Sequence, residues 1–167
     1  MFILESDGRE PEGFVRYRAY VEAHAAAFPP GALALAQSDW YFGSEDHRAP
    51  HDARLEAAVL AEHPAQDEAP WDDRRVSLTV RLRGAYDDGS IELLYPQVFA
   101  YRFDGPSLES GHRDWRYDEL RLDEQGRLVH EIEWWGPRST GRWLITASDV
   151  DLTWTPDPPP PAPSAAS

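Results

Sequence analysis

The strict alternation that begins at Arg74 limits what this chain can become. Val76, Leu78, Val80 and Leu82 take turns with Ser77, Thr79, Arg81 and Arg83. A period of two sends the apolar set to one face of a strand and the polar set to the other, the pattern of a half-buried antiparallel sheet. Asp87-Asp88-Gly89 follows, where the glycine is expected to supply the positive φ of a tight hairpin. Ile91, Leu93 and Tyr95 continue the alternation on a partner strand, and residues 97–103 read as a third after Pro96. Residues 115–122 and 127–135 flank Asp123-Glu124-Gln125-Gly126 as a second hairpin, and 142–147 and 150–155 add two strands. Connections this short join antiparallel neighbours, because parallel pairs need long crossovers.

Ahead of the sheet, residues 11–28 read as an amphipathic helix. Pro11 suits a first turn, where the missing N–H costs nothing, and Glu12 suits the positive end of the dipole. Phe14, Tyr17, Val21, Ala25 and Phe28 share one face. Pro29-Pro30 stops it, and Pro30 opens a short second helix through Gln37. Residues 39–50 predict a loop or a short strand around Trp40-Tyr41-Phe42. Residues 52–62 have helical composition but alternate at Leu55, Ala57, Val59 and Ala61, and are expected to form a strand because only sheet follows. Residues 63–73 read as a polar loop. From Pro156, half of the remaining residues are proline, which predicts a disordered tail over 156–167. The expectation is a single α+β domain over 1–155, with one or two N-terminal helices packed on a mainly antiparallel meander of about six or seven strands.

Composition narrows function more than fold. There is no cysteine, so disulfides and thiolate sites are excluded and a reducing compartment is favoured. No apolar run approaches the length of a bilayer span, and the apolar Phe2-Ile3-Leu4 is too short for a signal peptide, so a cytoplasmic protein is expected. The net charge of −14 repels phosphate backbones and anionic membrane surfaces, which argues against nucleic acid or membrane as a partner. All 16 basic residues are arginine, a codon signature of a GC-rich, bacterial source. The acidity is concentrated: residues 39–73 hold ten acids against two arginines.

Three constellations carry candidate chemistry. Asp46-His47-Arg48-Ala49-Pro50-His51-Asp52 holds ligand types that suit a divalent ion. Pro50 opposes the regular helix that would put His47 and His51 on one face, and the plain reading is a turn in which Asp46 and Asp52 cap backbone N–H groups. Glu131 and Glu133 share a strand face, about 7 Å apart, near the spacing of a glycosidase acid/base pair. The plain reading there is a solvated face paired with arginines such as Arg116, Arg121 or Arg142, with His130, Ile132 and Trp134 inward. Trp134 and Trp135 must face opposite ways in a strand, so one is either covered or a platform for sugar or protein. No Gly-rich phosphate loop and no Gly-x-Ser-x-Gly elbow occurs.

Ser38-Asp39-Trp40-Tyr41, Asp46-His47-Arg48 and Pro50-His51-Asp52 resemble a family of small acidic bacterial proteins with no assigned activity. Gly84-Ala85-Tyr86-Asp87-Asp88-Gly89, Tyr95-Pro96 and His130-Glu131-Ile132-Glu133-Trp134 extend the resemblance over residues 20–155. It implies no catalytic or binding residue, and it favours the strand reading of 52–62.

The leading expectation is a non-enzymatic protein-binding domain. Its size, acidity and α+β make-up are similar to those of bacterial immunity proteins, which neutralise basic partners. The partner-binding set is Asp39, Asp46, His47, His51, Asp52, Asp72 and Asp73, without metal or other cofactor. Two alternatives stand beside it: a metal-dependent enzyme or small-molecule binder using the 46–52 cluster, and carbohydrate binding through exposed tryptophan.

Overall fold

A computed structural model describes residues 2–5, 11–64, 74–105, 111–136 and 139–159. Helices α1 (Pro11–His24) and α2 (Pro30–Ala36) precede eight strands: β1 (Arg54–Pro64), β2 (Arg74–Arg83), β3 (Gly89–Tyr95), β4 (Val98–Asp104), β5 (Asp114–Leu122), β6 (Leu128–Gly136), β7 (Ser139–Ala147) and β8 (Asp151–Pro156). The fold is α+β with an antiparallel sheet of eight strands, more than the six or seven expected. The ambiguous 52–62 segment is the strand β1. The 39–50 segment is a run of turns with no strand.

The sheet departs from a simple meander. Its order is β4-β7-β6-β5-β1-β2-β3-β8. Two three-stranded meanders, β1-β2-β3 and β5-β6-β7, each take a fourth strand from the end of the other. β4 follows β3 but pairs with β7, and β8 follows β7 but pairs with β3. The links Pro96-Gln97 and residues 148–150 therefore carry the chain from one half to the other. Among the described residues the β1–β5 ladder that joins the two four-stranded halves has one pair, Arg54 facing Asp114, supported by Asp52 N–H to Trp115 O (2.7 Å) and Trp115 N–H to Ala53 O (2.9 Å). Beyond that point β1 and β5 diverge like a fork.

Alternation decides the core. Leu78, Val80, Leu82, Ile91, Leu93 and Tyr95 are buried from one half, and Trp115, Leu120, Ile132, Trp134, Trp143 and Ile145 from the other. Tyr17, Val21 and Phe28 bury the face expected of the first helix, each worth about 1.5–3 kcal/mol of transfer free energy. That face also does what a neighbouring strand would do. The Tyr17 hydroxyl accepts from Leu120 N–H (3.1 Å) and donates to Leu120 O (3.0 Å), and the Tyr20 hydroxyl accepts from Leu122 N–H (3.0 Å). The edge of β5 is thereby satisfied at Leu120 and at the Leu122 N–H. Asp149, 118 residues away in sequence, accepts from Gly31 N–H (3.1 Å) and caps α2, whose preceding Pro29 makes no side-chain cap.

Two local expectations change their physical reason. In the β2–β3 hairpin the positive φ falls on Asp87 (62° lies instead on Asp52; Asp87 has 57°), and not on Gly89. Gly89 is needed because a Cβ there would lie 2.4 Å from the Trp154 ring and 2.6 Å from Thr155 O. The outer face of β6 is not solvated: Glu131 and Glu133 are 7% and 8% exposed. Arg121 pairs with Glu131, and Arg142 with Glu131 (3.1 Å) and Glu133 (2.9 Å). Of the 156–167 tail, Asp157 still pairs with Arg83 (2.5 Å) beside the hairpin; residues from 160 on lie outside the described ones.

Candidate functional site

Residues 37–53 carry the candidate site. Successive turns build the segment: Gly43 N–H to Trp40 O, Asp46 N–H to Gly43 O, Ala49 N–H to Asp46 O and Ala53 N–H to Pro50 O, at 2.9–3.1 Å. Two anchors hold it. Inward, Tyr41 is 1% exposed and Phe42 packs edge-on against Tyr17 and Phe14. Toward the β2–β3 hairpin, His47 stacks on Tyr86 (4.0 Å, 11°) and pairs with Asp88 (2.5 Å), while the Tyr86 hydroxyl donates to Ser44 O (3.1 Å). The anchored segment turns its acids outward. An open concavity of about 540 Å³ results, lined by Asp39, Trp40, Gly43, Ser44, Glu45 and Asp46.

Two of its acids hold cations of the chain itself. Arg48 lies over the Trp40 ring, 4.5 Å from its centroid, a cation–π arrangement. The same guanidinium donates to both Asp46 oxygens at 2.9 Å, the bidentate geometry that suits a carboxylate. These hydrogen bonds hold the Asp46 carboxyl down at about 2. Asp39, with a side chain 86% exposed, meets Arg18 at 2.7 Å. Glu45 has no ion pair among the described residues.

The expected partner-binding set divides. Asp39 and Asp46 line the concavity. His47 is committed to Asp88 and Tyr86. His51 turns to Asp52 (3.2 Å) and packs against Tyr117, and Asp52 occupies the left-handed region (φ 62°) at the β1–β5 junction. His47 and His51 thus face different partners, and among the described residues no three His, Asp or Glu side chains stand close enough to hold a metal ion. Asp72 and Asp73 lie outside the described residues.

A buried polar constellation was missed from sequence. Asp118, 3% exposed, accepts from the Tyr41 hydroxyl (2.8 Å), Trp115 Nε1 (3.0 Å) and His130 Nε2 (3.0 Å), and Tyr95 OH meets His130 Nδ1 at 2.7 Å. The single sequence signal for it is the phase of the strand, which places Asp118 in line with Leu120 and Leu122. An Asp–His–Tyr chain invites a catalytic reading, but the adjoining cavity is about 10 Å³, room for a water and not for a substrate. Glu131 and Glu133 are held by arginines, as described. Of the tryptophans, Trp115, Trp134 and Trp143 are in the core, and Trp135 is 42% exposed with Arg116 over its ring.

No family model, curated protein or solved structure matches the chain. Among the described residues no helix is long and apolar enough to cross a membrane.

Proposed function

We propose that this chain is a non-enzymatic acidic protein-binding domain that docks a basic protein on the face formed by Asp39, Trp40, Glu45 and Asp46. The observation that carries the reading is how that face already treats a cation: the chain's own Arg48 is stacked on Trp40 and forked onto Asp46. A partner's arginine or lysine entering the concavity meets the same chemistry at Glu45 and Asp39. The local excess of acid and the net charge of −14 add long-range steering toward a basic surface and away from nucleic acid and anionic membranes. The reading includes a bacterial, cytoplasmic setting and the immunity type, in which a small acidic protein neutralises a basic toxin domain. The alternatives lose ground on geometry, since His47 and His51 diverge and Trp135 is topped by Arg116.

The test is kinetic. A basic partner captured from the source cell is measured by stopped-flow against the native chain and against Asp39→Asn/Glu45→Gln/Asp46→Asn. The association rate is expected to fall with added salt and to drop about tenfold or more in the triple variant. Rates indifferent to both would sink the reading.

A further inference from the structure

Three polar atoms on the inner side of β6 and β7 have no partner. The indole nitrogens of Trp134 and Trp143 and Nδ1 of His112 are sealed from solvent and make no hydrogen bond among the described residues. Their rings form one cluster. The His112 centroid lies 5.6 Å from Trp134 and 5.3 Å from Trp143, and the two tryptophans lie 5.0 Å apart. An indole N–H is only a donor, and a buried donor left unmet is costly. Trp115, in the same core, gives its N–H to Asp118 (3.0 Å). A neutral imidazole offers a nitrogen acceptor, yet His112 satisfies neither indole. The backbone around it is unusual. His112 stands between Gly111 (φ 77°) and Arg113 (φ 72°), both in the left-handed region. An arginine there is uncommon, and such strained positions gather at ligand clamps and switches. The two flanks also differ in support. A Cβ at Gly111 would meet nothing within 4 Å, whereas a Cβ at Gly136 would come 2.6 Å from Arg113 Cγ. The segment is pinned after His112, where the Arg113 stem lies against Gly136, and has room to pivot before it.

His112 also lines a cleft of about 460 Å³ at the mouth of the fork, with Arg54, Glu56, Arg113 and Asp114. The imidazole is thus in contact with both the cleft and the two tryptophans. We infer that His112 is a lid, and that the cleft binds a flat, uncharged heteroaromatic ring whose acceptor takes the N–H groups of Trp134 and Trp143. The shape follows from what stands there in the free chain, a small heterocycle against two indoles; a ring of similar size packs on the same aromatic surfaces. The acceptor follows from the indoles, which can only donate. A free ring can turn its nitrogen or carbonyl oxygen to them, which the tethered imidazole does not. The absence of charge follows from the cleft. Its two arginines are balanced by two carboxylates, and Arg54 is already paired with Asp87 and Glu56 with Arg81 (3.8 Å). Burial lowers the His112 pKa, so the ring the ligand displaces is itself neutral near pH 7. The volume lies in the range of small-molecule sites, about 300–1,000 Å³. This site shares no residue with the Asp39–Asp46 concavity and does not depend on a protein partner.

The probe is uracil, with benzene as a ring of similar size that has no acceptor. Binding to the full chain is read by NMR from the seven indole N–H resonances, assigned with Trp134→Phe and Trp143→Phe. Uracil is expected to shift the Trp134 and Trp143 resonances downfield, as N–H groups that gain an acceptor do. Trp115, already bonded to Asp118, should move far less. His112→Ala removes the competing lid and should tighten uracil about tenfold, because a site open only part of the time binds more weakly by that fraction. Benzene should bind the variant about tenfold or more weaker than uracil, since it leaves both donors unmet. Far-UV circular dichroism and thermal unfolding check that the variant folds, and the titration of the native chain stands without it. Trp134 and Trp143 resonances that stay in place up to the solubility limit of uracil overturn the inference; the indole N–H groups then rest on neighbouring ring faces. Equal uracil affinity in the native chain and a folded His112→Ala overturns the lid. Benzene binding as tightly as uracil overturns the acceptor requirement.

Discussion

Replacing Asp118 by asparagine asks how much the buried polar constellation contributes to stability. The carboxylate offers two oxygens to three donors: Tyr41 OH, Trp115 Nε1–H and His130 Nε2–H. An asparagine of the same shape offers one oxygen and one NH₂. With its oxygen toward Tyr41 and His130, the NH₂ opposes the indole N–H. With its oxygen toward Trp115, the NH₂ donates to Tyr41 and to a flipped His130 tautomer, and the hydroxyl protons of Tyr41 and Tyr95 lose their acceptors. Either way at least two buried donors are stranded. Each costs about 1–3 kcal/mol, so Asp118→Asn is expected to lose about 2–6 kcal/mol. That is a large part of the ~5–15 kcal/mol typical of a whole domain. The melting temperature should fall by roughly 5–20 °C for a chain of this length. Urea unfolding followed by tryptophan fluorescence measures it, with Trp115 itself in the network. Tyr95→Phe removes the donor to His130 Nδ1, and the double variant should lose less than the sum, because both changes act through His130. A loss within about 0.5 kcal/mol for Asp118→Asn, the range of ordinary surface changes, would show that the donors find other acceptors and that the argument fails.

Two further outcomes concern pH. Burial pushes the phenols of Tyr17, Tyr41 and Tyr95 well above 10.0, so the folded state keeps protons that the unfolded chain has lost. Their contribution to stability is therefore full below 10.0 and declines as pH rises beyond it. In a phenolate absorbance titration, these three of the seven tyrosines should ionise only as circular dichroism is lost; seven ordinary, reversible titrations would refute the burial argument. The Asp46 carboxyl, held at about 2 chiefly by the Arg48 side chain, has the opposite sign: its contribution is present above the ordinary 3.8 and is lost as pH falls through about 2. Arg48→Gln should return its midpoint part of the way toward 3.8, since the backbone N–H of residue 48 still donates to Asp46. An unchanged carboxyl midpoint by NMR would mean that the guanidinium is not the cause.

Much of the fold was legible because alternation is local. Val76 to Leu82, Ile91 to Tyr95 and Leu128 to Trp134 each announce a strand and its inner face without reference to any other part of the chain. The helix face of Tyr17, Val21 and Phe28 was readable for the same reason. Of the candidate site, the acidity of residues 39–73 was legible as composition, but its division was not. Nothing local tells His47, which is spent on the β2–β3 hairpin, from Asp39, which stays in solvent.

The sequence by itself determined most of the strands and both helices, which side of each is apolar, and how much charge the chain carries, since these follow from neighbours a few residues apart; residues 39–50 and 52–62 it left open. Tertiary structure decided the rest. It chose that β4 pairs with β7 and β8 with β3, that Asp149 caps α2, and that Asp118 gathers Tyr41, Trp115 and His130. It also placed the Tyr17 and Tyr20 hydroxyls on the backbone of Leu120 and Leu122 in β5. Each of these is a contact between segments far apart in sequence, chosen by which arrangement leaves the fewest buried polar groups and apolar faces unmatched, and no local pattern encodes that sum.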